Sequence, residues 1–278
     1  MNALETKSDL VFLFNKYFEV ILADTQERLQ QCWQLRYQVY CLESKVPGFY
    51  PDRYPEGLER DLYDERSVHS LLIHKPSGKI AGTVRVILPI SGNSDARFPV
   101  EEFAGHLFYT DKISLMNLSR SQLGEISRLI IAPKFRMRKG EALSVCGLSE
   151  SADNSNSIEG VVRHRSQAIL KDQNFDEKVQ CRCFPHTILG LFVAIIRISA
   201  QYNLDNWCAG MEPVCARLLR LFGINFSPIS PIVEYYGPRR CYFGNILDIM
   251  EGMYRTHPEI WALLTNNGVF FPGSRNSQ

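Results

Sequence analysis

The chain has 278 residues, 45% of them hydrophobic and 22% charged, with a formal net charge of +1. That is enough apolar material for one large or two small folded domains, and it excludes a largely disordered chain. It also excludes a whole-molecule field that would draw in nucleic acid, so affinity for acidic partners must come from local basic patches.

Residues 8–16 read as a short helix, and 17–23 as a strand rich in β-prone residues. Asp24 and Thr25 offer an N-cap for a helix over 27–40, on which Leu29, Cys32, Trp33, Tyr37 and Tyr40 can share one face. Arg36 lies near that face, and taken alone it reads as an ordinary exposed helix arginine. Residues 47–57 are aromatic and proline-bearing without either period, which fits a lid over an apolar ligand or a packed surface loop. In Glu59-Arg-Asp-Leu-Tyr-Asp-Glu65, Asp61 and Asp64 stand three apart and would face the same way on a helical turn. A strand over 69–74, with His69 and His74 at its ends, the turn Pro76-Ser-Gly78 and a returning strand over 79–89 make a hairpin. Arg85 interrupts the second strand and needs an anionic partner, for which Asp61, Asp64 and Glu125 are the candidates.

Residues 91–123 show no clear pattern. The stretch Gly124-Glu-Ile-Ser-Arg-Leu-Ile-Ile-Ala-Pro133 then reads as a buried strand carrying an acid, a hydroxyl and a guanidinium at its entry, where charge is costly unless paired or used. Directly after it come Lys134, Arg136, Arg138 and Lys139, leading to Gly140, which together read as an anion-binding turn. Residues 141–180 lack sustained periodicity and are expected to be an inserted, partly disordered loop. Beyond it are a helix from Pro185 to Tyr202, a short buried strand over 206–211, a helix from Glu212 to Leu221, two strands over 224–236 and 240–243, and two closing helices. The apolar run 188–198 is too short to cross a bilayer and reads as a core helix. The expected architecture is a single mixed α/β domain over 1–278, built on a mostly antiparallel sheet flanked by helices.

The eight cysteines are scattered, several within apolar patterns, which suits buried free thiols in a reducing compartment. With no signal peptide evident at the N-terminus, the expected location is the cytoplasm. Cys181, Cys183 and His186 have three-ligand spacing but no evident fourth metal ligand. Cys–His nucleophilic catalysis is disfavoured because apolar surroundings raise a thiol pKa.

The series Leu35-Arg36-x-x-Val39-Tyr40, Glu59-x-Asp61-x-x-Asp64, Gly82-x-x-Arg85 and Glu125-x-Ser127-Arg128 resembles, in order and spacing, the acyl-homoserine lactone synthase superfamily, a branch of the GNAT fold. Arg36-Tyr-Gln-Val-Tyr-Cys41, Gly57-Leu-Glu-x-Asp-x-Tyr-Asp64, Met211-Glu-Pro213 and Val233-Glu-Tyr-Tyr-Gly237 look most like the long-chain N-acyl amino acid synthases associated with PEP-CTERM/exosortase sorting. The resemblance implies that Arg36, Tyr40, Asp61, Asp64 and Arg85 shape the acceptor side of a cleft. It implies that Glu125 helps deprotonate the attacking amine, and that Ser127 and Arg128 line the acyl chain and thioester. It also implies an acyl carrier protein thioester as donor, no tightly bound cofactor and no metal. The run Lys134, Arg136, Arg138, Lys139 and Gly140 would meet the acidic carrier and its phosphopantetheine, and the lipid product would bring peripheral membrane contact. One departure favours the carrier-protein donor over coenzyme A: GNAT enzymes that bind coenzyme A carry Arg or Gln three residues before the first glycine of their pyrophosphate loop, where this chain has Met137. Two other readings share the same residues, an acyl-homoserine lactone synthase using S-adenosylmethionine and a non-catalytic acyl or carrier-protein binding module.

Overall fold

The computed structural model describes residues 9–93, 95–136 and 187–271. The chain opens with helix α1 (Asp9–Tyr17), which leads directly into edge strand β1 (Phe18–Leu22). Helix α2 (Gln26–Tyr37) starts at the N-cap Thr25, whose hydroxyl accepts from the Arg28 N–H at 3.3 Å. It then widens into a π-helical turn over Gln38–Glu43, a local feature often found at functional sites.

The hairpin of β2 (Ser67–His74) and β3 (Lys79–Ile87) follows, turning through Gly78 in the left-handed conformation. Residues 91–123, without pattern in the sequence, hold two helices, α3 (Pro99–Ala104) and α4 (Thr110–Leu118). Proline at the first position of α3 is pre-set for helix, but six residues are too few for the apolar period to show. Strand β4 (Leu123–Ile131), helix α5 (Thr187–Gln201), strand β5 (Asn206–Met211) and helix α6 (Pro213–Arg220) come next. Strands β6 (Ser227–Glu234) and β7 (Pro238–Asn245) and helices α7 (Ile246–Thr256) and α8 (Pro258–Thr265) are the last elements among the described residues.

The seven strands form one sheet in the order β1-β2-β3-β4-β5-β7-β6. Every neighbouring pair is antiparallel except β4–β5, which is parallel. Helix α5 is buried on nearly every face, so it reads as apolar all round and forms the main core with α1, α8 and one side of the sheet. A side chain at Gly190 would put a Cβ 2.9 Å from Leu72, so glycine lets α5 lie close on β2. The other side of the sheet carries α2, α3 and smaller clusters around Phe98, Val100, Leu35 and Val39.

Two irregularities of β4 position the site. Between Thr83↔Ile130 and Arg85↔Ser127, β4 has two residues where β3 has one, so it bulges, and Arg128 adopts a left-handed φ of 52°. On its other edge β4 pairs with β5 only from Leu123↔Asn206 to Glu125↔Cys208, although both strands continue. Beyond Glu125 the two parallel strands separate, and their facing edges have no ladder partner across the gap.

Candidate active site

Three arginines and three acids converge beside the bulge. Arg36, fully buried on α2, donates from Nε to Glu59 and from Nη1 and Nη2 to the two oxygens of Asp64 at 2.7 and 3.2 Å. Arg85 on β3 reaches Asp61 at 2.6 Å, Asp64 at 3.0 Å and the Ser127 hydroxyl at 3.0 Å. Arg128 reaches Glu59 at 3.0 and 3.1 Å and Asp61 at 2.9 Å. The formal charges cancel, which is what allows six ionised groups to sit out of water.

Local folding places the acids. Asp61 caps a 3-10 turn over Leu62–Arg66, accepting from the Tyr63 N–H, while Asp64 reaches back to the Asp61 N–H at 2.7 Å. This capping box turns both carboxylates toward the sheet. Burial alone would raise the carboxyl pKa of Glu59, but Arg36 and Arg128 outweigh it and hold it at about 2. For Asp64 burial is likewise opposed by the guanidiniums of Arg36 and Arg85, and its pKa lies well below the usual carboxylate range.

Glu125 stands apart from this cluster. It is 3% exposed, and one carboxylate oxygen accepts from the Val100 N–H at 3.0 Å. Its register partners are Ile87 and Cys208, at the last paired position before β4 and β5 separate. Burial pushes its pKa up to about 8, against the lowering pull of the Val100 N–H and of Arg85. A carboxyl poised there can exchange a proton near neutral pH.

Aromatic rings line the route from the charge cluster to the far strands. The Arg128 guanidinium lies 5.7 Å from the Tyr40 ring and 5.0 Å from the Phe49 ring. Phe49 contacts Tyr236, Tyr236 contacts Tyr235, and Tyr235 stacks on Phe103 at 3.8 Å. Phe49 is buried and belongs to the irregular 47–57 segment, so that segment closes over the arginine end of the site rather than lying on bare surface.

Most of the sequence-predicted site residues therefore meet, with corrections. Arg36 is 0% exposed, not an ordinary surface arginine; its helix face is covered by the 59–64 turn, which nothing in the local helix pattern reveals. Arg85 pairs with Asp61 and Asp64 and makes no hydrogen bond to Glu125, because Glu125 turns toward the α3 side. His69 is not at a strand end; it is buried within β2, its Nε2 3.2 Å from Asp64 but out of line for a hydrogen bond, and burial lowers its pKa. Lys134 and Arg136 are exposed, and the Arg136 Nε donates to the Ile131 carbonyl. Arg138, Lys139, Gly140, the 141–180 insertion, Cys181, Cys183 and His186 lie outside the described residues. Glu59, which its own surroundings in the sequence do not mark out, bridges two arginines. A charge count would have found it, since Arg36, Arg85 and Arg128 exceed Asp61 and Asp64 by one.

A bulged β4 that pairs and then parts from a parallel β5, with a buried helix between them in sequence, is the decisive architecture, and residues 35–145 match the family described as acetyltransferase (GNAT) domain. The fold is a GNAT fold. Similar solved structures include TofI in a ternary complex with an inhibitor and MTA (15% identity, TM-score 0.52, covering 88% of this chain and 99% of that one). A CoA-dependent acyl-homoserine lactone synthase, BjaI, aligns at 15% identity with a TM-score of 0.51, over 88% of this chain and 89% of the other. FeeM, an N-acyl amino acid synthase from uncultured soil microbes, aligns at 10% identity with a TM-score of 0.50, over 84% of this chain and 94% of that one. No curated protein matches the chain significantly in sequence. Glu125 holds the last position at which β4 and β5 pair, and the bulge at Arg128 lies in the stretch of β4 beyond it.

Proposed function

We propose that the protein is an N-acyltransferase that moves a long-chain fatty acyl group from acyl carrier protein to the α-amine of an amino acid. The observation that carries this reading is Glu125, a buried carboxyl with its pKa pushed up to about 8, at the point where β4 and β5 part. An ammonium acceptor must lose a proton before it can attack a thioester, and a carboxylate at that point can take it, directly or through one water. The amine nitrogen then bonds to the carbonyl carbon. The tetrahedral oxyanion is suited to backbone N–H groups on the gap edge of the bulged strand. Collapse breaks the C–S bond, and the thiolate leaves on the pantetheine arm and takes up a proton.

The acceptor side supports a zwitterion. Asp61 is 26% exposed and Arg128 15%, the two most open members of the cluster, and they present opposite charges side by side. Among the described residues the Nη1 of Arg128 has no hydrogen-bond acceptor, which leaves a donor for a carboxylate while Asp61 faces an ammonium. Exposed Lys134 and Arg136, at the end of β4, suit an acidic carrier.

The test incubates purified protein with acyl carrier protein thioesters, and separately with coenzyme A thioesters, plus the amino acids and S-adenosylmethionine. Products are read by mass spectrometry. An N-acyl amino acid formed from the carrier thioester supports the reading. Acyl-homoserine lactone instead would transfer it to the signal-synthase reading, and stoichiometric binding of the carrier without product would identify a binding module. A product traceable only to coenzyme A would overturn the donor assignment.

A further inference from the structure

A groove lies on the α5 side of the sheet, away from Glu125. It runs between edge strand β1, the end of α5 and residues 269–271, encloses about 550 Å³, and is walled chiefly by Val20, Leu22, Val269, Phe270 and Phe271. Volumes of about 300–1,000 Å³ are those of small-molecule sites. Among the described residues Arg197 is its one charged lining residue.

The Nε of Arg197 is buried without a hydrogen-bond partner, its guanidinium sits 5.7 Å from the centre of the Phe270 ring, and no acid pairs with it among the described residues. Burial lowers its pKa, with no opposing anion. The three arginines of the charge cluster, Arg36, Arg85 and Arg128, are by contrast each matched to acids. Arg197 instead lines an apolar groove with its Nε unpaired, an arrangement that suits an anion with a greasy body.

The charge of that anion follows from its surroundings. Arg197 lies near the C-terminal end of α5 (Thr187–Gln201), where the backbone carbonyls present partial negative charge. One guanidinium there balances a single carboxylate but not a phosphate dianion. We propose that the groove binds a long-chain monocarboxylate, with its carboxylate on Arg197 and its aliphatic chain against Val20, Leu22 and residues 269–271. The site does not depend on the acyl-transfer reading, because it shares no residue with the cleft.

The test uses the full chain and a long-chain fatty acid carrying a photoreactive diazirine near its tail, with adducts mapped by peptide mass spectrometry. Adducts within residues 20–22 or 269–271 are expected, displaced by unlabelled hexadecanoate but not by hexadecanol at the same concentration. Arg197→Gln should weaken the competition by hexadecanoate about tenfold, the loss of one charge-assisted hydrogen bond, and Arg197→Lys should restore most of it. Circular dichroism checks that the variants fold. If Arg197→Gln fails to fold, the comparison of acid with alcohol in the wild-type chain decides. Adducts confined to the Glu125 cleft, equal displacement by the alcohol, or unchanged hexadecanoate competition in folded Arg197→Gln would each overturn the proposal.

Discussion

Replacing Glu59 by glutamine probes the charge cluster at its centre. Glu59 is 0% exposed and serves both Arg36 and Arg128. The amide keeps the shape but leaves a net positive charge buried among three arginines, and its NH₂ faces guanidinium donors. Breaking a buried ion pair by removing one partner costs about 3–5 kcal/mol. The ionisation of Glu59 gives a second route to the magnitude: holding a carboxyl at about 2 instead of 4.5 corresponds to about 3 kcal/mol at neutral pH, at about 1.4 kcal/mol per tenfold in the ionisation constant. The two routes agree, and either is a large share of the roughly 5–15 kcal/mol that keeps a typical protein folded. The assay is urea denaturation followed by circular dichroism at pH 7, with Glu56→Gln as control, since its pairing with Arg60 is exposed on both sides. Glu59→Gln should lose about 3 kcal/mol and the control close to none. Because the folded-state pKa is depressed, the wild-type advantage is fully present above pH 4.5 and disappears as the pH falls through about 2. A loss under about 1 kcal/mol at pH 7, or one independent of acid, would refute the assignment of Glu59 as the bridging counter-charge.

Arg85→Met removes the partner shared by Asp61, Asp64 and Ser127, and should cost about 3 kcal/mol by the same denaturation assay. Glu125→Gln should keep the far-ultraviolet spectrum while product formation falls at least about a hundredfold, the usual scale of a lost general base; an unchanged rate would remove that role. The wild-type kcat/KM should rise with pH through about 8 as Glu125 ionises, and this limb should vanish in the variant. Stability should move the other way: the folded-state pKa of Glu125 is raised, so its contribution is complete below 4.5 and is lost as the pH rises through about 8, a dependence that Glu125→Gln should flatten. Gly82→Ala would put a Cβ 2.6 Å from the Ile130 carbonyl oxygen across the β3–β4 bulge, and a loss of about 1–3 kcal/mol in urea denaturation is expected.

Several parts of this protein were determined by local sequence alone. Alternating and continuous apolar runs mark β2, β3, β4 and the buried α5. Pro213 and Pro258 set helix starts, and Thr25 caps α2. The spacing of Asp61 and Asp64 is enough to put two acids on one side of a turn, and a charged Arg85 inside an apolar strand announces that it must be matched. Tertiary structure decided which acids do the matching. Glu59 and Arg128 are sixty-nine residues apart in the chain and meet only because the bulge turns Arg128 out of the regular strand path. Glu125, two residues before Ser127, escapes the arginines and takes the Val100 N–H instead, so that burial raises its pKa while the same burial leaves Glu59 fully ionised. A carboxyl group carries no mark of that difference in sequence, since ionisation depends on neighbours brought in by the fold and on the water they displace.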